Sequence, residues 1–218
     1  MAVFFSIFSF LKLSNSFKHL ESNEKTVLKQ EFEDWIAHCQ EKIFLRTYFV
    51  SSLKEDCDIL MWRMHSSIDY LQKICTTMMG TGIGKYMEIK YSYIGMKNFK
   101  TDNLDELNKR AGIHTYLLLH PLNKSYEWYE MEEKEREKLI TEREEILKEY
   151  PDIIENFFVS FGIDDQDMIV TRESPKIETL IDATKKLKTM KTKSYTVNDK
   201  PVFLCIGRDL REILDTLS

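Results

Sequence analysis

Residues 43–62, IFLRTYFVSSLKEDCDILMW, and residues 152–171, DIIENFFVSFGIDDQDMIVT, align without a gap at an offset of 109 positions, half of the 218-residue chain. Phe49/Phe158, Val50/Val159, Ser51/Ser160, Asp56/Asp165 and Asp58/Asp167 are identical, and Leu60/Ile169 and Met61/Val170 are apolar in both copies. The same offset lays Ile68, Leu71 and Met78 on Ile177, Leu180 and Leu187, residues 4–10 on 113–119, and residues 17–40 on 126–149. One such match between amphipathic segments arises easily by chance. Agreement of all of them at a single offset indicates an internal duplication. The period is far longer than that of solenoid or propeller repeats, so each half, 1–109 and 110–218, has the size of a small domain.

Each half carries the same succession of periodicities. Residues 3–10 are rich in β-branched and aromatic side chains, and 17–40 place Phe17, Leu20, Val27, Leu28, Trp35, Ile36 and Cys39 at helical spacing. Residues 45–53 and 58–64 read as strands about a turn, 66–79 as a helix stopped by Gly80, Gly82 and Gly84, and 86–96 as a further strand. The three glycines resemble a loose phosphate loop, but they follow a helix rather than a strand and read as a helix stop. The second half repeats the order with a strand at 113–120, a long charged helix at 126–150, strands at 153–161 and 167–171, a helix at 176–190 and a strand at 202–206. Two β-α-β-β-α-β units predict an α+β protein, a duplicated ferredoxin-like fold whose two sheets cover each other as a dimeric α+β barrel within one chain.

Composition narrows the function classes. An apolar content of 43% supports a packed core, and a net charge of −5 offers no long-range attraction to nucleic acid. Cys39, Cys57, Cys75 and Cys205 lack CxxC or zinc-finger spacing and read as free thiols of a reducing cytoplasm. The apolar start lacks the basic segment and cleavage site of a secretory leader, and its counterpart recurs inside the chain. No apolar run approaches the ~20 residues that span a bilayer, so neither nucleic acid nor membrane is an expected partner.

Four stretches, LRTYFVSSLKEDCDILMWRM, GKYMEIKYSYIGM, HPLNKSYEWYEM and FFVSFGIDDQDMIV, run along most of the chain. Together they resemble the chlorite dismutase and coproheme decarboxylase superfamily of haem proteins. The resemblance implies the duplicated fold, haem as cofactor in the C-terminal half, peroxidase-type or decarboxylase oxidoreductase chemistry, and assembly as a homopentamer.

Measured against the family's pattern, several positions differ. The histidine that holds iron from the long helix maps to Arg143, and no histidine follows His120. A guanidinium stays protonated and has no lone pair to give a metal. Arg143 shares a helical face with Leu139, Ile146, Leu147 and Tyr150; it either pairs with a nearby carboxylate or holds an anionic group in the cavity. The family's distal arginine or glutamine maps to Asn156, which lies on the same strand face as Ile154 and Phe158 by two-residue alternation and either donates to an oxyanion or is a satisfied polar residue of the barrel interior. His120-Pro121-Leu122-Asn123-Lys124 resembles the Tyr-Pro-Met-x-Lys motif with His120 in place of the radical-forming tyrosine. Lys124 keeps the motif's basic contact near the propionates or is a solvated loop lysine, and Trp128 with Tyr129 resembles the aromatic pair opening the long helix or is a packing anchor. Alternation puts His114, Tyr116, Leu118 and His120 on one strand face, which is expected to look into the cavity.

Two functions are compatible with these residues. One is a peroxidase-like haem enzyme with His120 and Asn156 as catalytic groups and Arg143, Lys124, Trp128, His114 and Tyr116 around the cofactor. The other is a haem-free relative that serves as a scaffold or binds a porphyrin or small anion at Arg143.

Overall fold

The computed structural model describes residues 2–217. The N-terminal half contains β1 (Ala2–Leu13), α1 (Asn15–Lys18), α2 (Ser22–Gln40), β2 (Phe44–Phe49), β3 (Ile59–His65), α3 (Ile68–Met79), a 3-10 turn (Gly82–Tyr86), β4 (Met87–Phe99) and α4 (Leu104–Asn108). The C-terminal half contains β5 (Tyr116–Lys124), α5 (Tyr126–Glu130), α6 (Glu133–Lys148), β6 (Ile154–Val159), β7 (Met168–Ser174), α7 (Ile177–Lys188), α8 (Lys191–Ser194), β8 (Thr196–Asn198), β9 (Phe203–Gly207) and α9 (Leu210–Leu217). The sequence reading misses α4, α8, β8 and α9, which are short or lie beyond the duplicated pattern.

Among the described residues, the named strands pair antiparallel throughout. The order within the N-terminal half is β4-β1-β3-β2, and that of the C-terminal half is β6-β7-β5-β9. Both are the 4-1-3-2 arrangement of a split β-α-β unit. The halves join edge to edge, β2 to β9 through Tyr48↔Gly207 and Phe49↔Ile206, and β4 to β6 through Met96↔Val159. The result is a closed barrel, which leaves neither half an unpaired edge.

Period-two alternation then divides every strand between two environments. Inward side chains from both halves form one core: Phe8 stacks on Trp62 with ring centroids 5.3 Å apart, Phe158 meets both edge-on, and Phe10 stacks on Phe203 at 3.8 Å. The two units therefore share a barrel core. Outward side chains face the helices, and here the halves diverge. On the N-terminal side Ile7, Leu11, Phe17, Phe32, Ile36, Met61 and Met78 fill the space between sheet and helices.

Gly82 and Gly84 make that filling possible. A Cβ on Gly82, whose φ is +48°, would lie 2.2 Å from the Leu28 carbonyl oxygen, and one on Gly84 would lie 2.0 Å from the Met78 carbonyl oxygen. The 3-10 turn thus presses its bare backbone onto α2 and α3. At the 109-residue offset Lys191 and Lys193 occupy these two positions, in α8. Two long side chains cannot make the same approach, and the space beneath α8 stays open.

Candidate cavity in the C-terminal half

The open space lies between the outer face of β5, β6 and β7 and the cover formed by α6, α7 and the segment from α8 to β9. It measures about 820 Å³. Register sets its floor: Leu118 lies across from Arg172, His120 from Val170 and Leu122 from Met168, with Glu155 and Phe157 of β6 opposite Arg172 and Val170. Arg136, Ile140, Arg143 and Glu144 project from α6, Thr184, Leu187 and Lys188 come from α7, and Thr192, Lys193, Thr196, Asp199, Lys200 and Val202 complete the far wall. Trp128 and Lys124 hold one corner, the ammonium 4.5 Å from the indole centroid.

Charge in this space runs against the chain as a whole. Lys124, Arg136, Arg143, Arg172, Lys188, Lys193 and Lys200 line it, against the carboxylates of Glu144 and Asp199, whereas the net charge of the protein is −5. Leu118, Leu122, Trp128, Phe157, Met168 and Leu187 supply apolar surface between the charges. An apolar pocket with convergent polar groups is the usual form of a small-molecule site.

Several of these groups are held by identifiable contacts. Lys124 donates from Nζ to the Thr192 carbonyl at 2.8 Å and to Thr196 Oγ1 at 3.1 Å, and burial lowers its pKa to about 8. His120 is lowered to about 4, first by burial and then by the positive charge of Arg172, so its imidazole is neutral at pH 7. Glu155, beneath the floor, accepts through one oxygen from both Arg143 Nη2 and Arg172 Nε, the latter at 2.5 Å. Burial raises the pKa of Glu155, but the two guanidiniums outweigh it and keep the carboxyl below its ordinary value. Arg143 also lies over Phe157, its Cζ 4.7 Å from the ring centroid.

The cavity gathers Arg143, Lys124, Trp128 and His120, and it excludes the other candidates read from the sequence. Asn156 shares a face with Ile154 and Phe158 as expected, but that face looks into the barrel. Its Oδ1 accepts from Lys97 Nζ at 2.5 Å, and its side-chain nitrogen is buried without a partner. Glu155 and Phe157, one residue to either side, face the helices instead. His114 precedes β5 and lines a separate groove of about 610 Å³, where Arg46 and Arg208 approach from β2 and the chain after β9. Tyr116 begins β5 at the end away from the cavity and does not line it. Arg143 is paired with a carboxylate, the first reading offered by its helical face, and it also lines the cavity.

Arg172 is the most informative residue absent from the sequence reading. Extending the duplicated alignment by one position pairs it with Arg63, which the register of β3 places on the outer sheet face of the other half. Arg63 is fully buried, donates to Ser9 Oγ at 2.5 Å and to Met78 Sδ at 3.6 Å, and leaves Nε unpaired. The same register position is thus sealed in one half and opens on a cavity in the other. Among the described residues no three His, Cys, Asp or Glu side chains are grouped to hold a metal ion, and no helix is long and apolar enough to cross a membrane.

A family model described as chlorite dismutase matches residues 25–208. Among curated proteins, coproheme decarboxylase of Mycolicibacterium smegmatis is 22% identical over 160 residues, covering 72% of this chain and 69% of that protein. Coproheme decarboxylase of Staphylococcus carnosus is 26% identical over 136 residues, covering 54% and 55% respectively. A mutant chlorite dismutase from Candidatus Nitrospira defluvii superimposes with a TM-score of 0.88 at 20% identity, covering 98% of this chain and 95% of that one. The same organism's chlorite dismutase in complex with imidazole gives 0.87 at 18% identity, with 98% and 94% covered. At such identities the likeness to solved structures establishes the fold.

Proposed function

We propose, from the premise that the chain belongs to the chlorite dismutase family, that its C-terminal cavity binds a flat, carboxylate-bearing tetrapyrrole through ionic contacts rather than through an iron bond from α6. The observation that carries this reading is the lining. Seven cationic side chains stand around apolar walls, and the cavity face of α6 offers Arg136, Ile140, Arg143 and Glu144. The guanidinium and ammonium groups fit the carboxylates of such a ligand, and Leu118, Phe157 and Leu187 fit its flat body. The helix does not fit an iron centre that needs a neutral nitrogen donor, because it carries no histidine.

The residues at the reacting positions support binding over the family's chemistries. His120 stands where the resembling motif has a tyrosine, and imidazole forms no equivalent phenoxyl radical. The family's oxyanion-polarising arginine or glutamine maps to Asn156, which faces the barrel, and Arg172, the arginine that the sheet does present to the cavity, is already bound to Glu155. Neither chlorite dismutation nor tyrosine-dependent decarboxylation is expected. Lys124 and Arg143 orient carboxylates, Trp128 and Phe157 supply faces for stacking, and neutral His120 supplies one hydrogen bond from the floor.

Titration of the purified protein with metal-free coproporphyrin and with its iron complex tests the proposal, read by tryptophan quenching and by the Soret band. Both ligands are expected to bind one to one with affinities within about threefold of each other, and both more weakly as salt rises. Arg143→His is expected to favour the iron complex alone, by about tenfold or more. Binding of the iron complex to the unaltered protein ~100-fold more tightly than the metal-free ligand, with a sharp Soret band, would overturn the reading.

A further inference from the structure

Two guanidiniums lie side by side within the cavity for a reason the rest of its lining does not share. Arg143 and Arg172 come from different elements, α6 and β7, and both reach the same oxygen of Glu155 on β6. Their side chains are 13% and 10% exposed, and that of Glu155 is 8% exposed. Lys124, Arg136 and Lys193 are each held by other contacts, to Thr192 and Thr196, to the Trp128 carbonyl and to Asp199. Arg143 and Arg172 share one buried carboxylate oxygen.

A planar guanidinium presents five N–H donors in a fixed fork. Among the described residues, Arg143 and Arg172 each spend one hydrogen bond on a protein acceptor, that to Glu155, and both line the cavity. Two positive charges share one negative charge, so the group carries a net charge of one cation with most of its donors unused. Such a cluster, partly withdrawn from water, favours a second anion. We infer that Arg143 and Arg172 form an oxyanion subsite for a carboxylate inside the cavity, and that Glu155 is a built-in competitor that positions the pair and sets its affinity. The inference rests on reading the cavity as a receptor for carboxylates.

The other half of the duplication argues that Glu155 is not needed simply to allow an arginine at this register. Arg63 occupies the equivalent position, fully buried, with a hydroxyl and a thioether as its partners. The fold tolerates that cation without a carboxylate. Where the carboxylate is present, the arginine faces a cavity.

Replacing Glu155 by Gln keeps an acceptor oxygen but removes the competing charge. The ligand-free protein should lose thermal stability, because two buried cations are left uncompensated, while an incoming anion restores the balance and binds more tightly. The opposite signs distinguish a ligand subsite from an ion cluster that only holds the fold together. Formate and metal-free coproporphyrin, each titrated calorimetrically into the unaltered protein, Glu155→Gln and Arg143→Leu, separate a small free oxyanion from a tetrapyrrole carboxylate. Glu155→Gln is expected to bind one or both about tenfold more tightly, and Arg143→Leu about tenfold more weakly.

Equal or weaker binding of both probes by Glu155→Gln overturns the inference. If that variant does not fold, unchanged affinity in Arg143→Leu overturns it and the tenfold loss supports it. Tighter formate binding with no coproporphyrin binding to any variant would sink the tetrapyrrole reading and leave the oxyanion subsite standing. Coproporphyrin binding that both substitutions leave unchanged would do the reverse.

Discussion

Gly84→Ala is expected to destabilise the protein by roughly 3–5 kcal/mol, a large part of the ~5–15 kcal/mol that holds an ordinary domain together. The added methyl would sit 2.0 Å from the Met78 carbonyl oxygen and 3.1 Å from the Phe32 ring, and the nearer obstacle is backbone that cannot rotate aside. Relief requires the 3-10 turn to lift from α2 and α3, which opens the cluster around Phe17, Phe32 and Met78. Gly162→Ala is the internal control. Gly162 has φ +80° but nothing within 4 Å of the added carbon, so its cost should stay near ~1 kcal/mol, the strain of a left-handed backbone alone. Urea unfolding of the two variants beside the parent measures both, and a loss below ~1 kcal/mol for Gly84→Ala would refute the close-approach account of the sealed half.

Acidification should weaken the fold through His120 by as much as about 3 kcal/mol between pH 6.5 and pH 4. Its folded pKa is lowered to about 4 from an ordinary value of 6.5, so the unfolded chain binds the extra proton first as pH falls. Stability associated with the neutral imidazole is therefore complete above pH 6.5 and is lost progressively toward pH 4. Burial dominates the shift; Arg172 and Lys193 add to it, while Asp199 and Glu155 oppose it. Glu173 has the opposite sign, because burial raises its carboxyl, and it therefore favours the folded state on acidification. The difference in unfolding free energy between the parent and His120→Gln cancels that common contribution. A difference that stays flat from pH 7 to pH 4 would show that His120 is solvated in the folded protein.

Much of the fold is legible from repeated local patterns. Alternation and helical spacing recur in both halves because each strand or helix must place one face in a core, and that requirement acts over a few residues. Arg143 is legible for the same reason: a cation on the stripe of Leu139 and Tyr150 has to find a partner or a cavity, and it meets both. Asn156 shows where such reasoning stops. Its strand-mates Ile154 and Phe158 are named correctly from alternation, but a two-residue period cannot say which of two faces looks into the barrel. Phe158 packing on Phe8 and Trp62 decides it, through contacts 150 and 96 residues away in the chain.

The cavity itself depends on comparing two places that local sequence treats alike. Gly82 and Gly84 read as a helix stop, and Lys191 and Lys193 fall between a helix and a strand with no distinguishing local pattern. Only their packing reveals that the glycines admit backbone against α2 and α3, while the lysines cannot enter and the space remains. Arg172 and Glu155 lie 17 positions apart and acquire meaning through the pairing of β6 with β7 and through α6 laid across both. The duplicated order of elements and the missing helix histidine are properties of the amino-acid string, because they depend on residue type and spacing. The open cavity, its reversal of the chain's overall charge and the guanidinium pair between its floor and its cover belong to the folded chain, because they arise from side chains that only strand pairing and helix packing bring within a few ångströms.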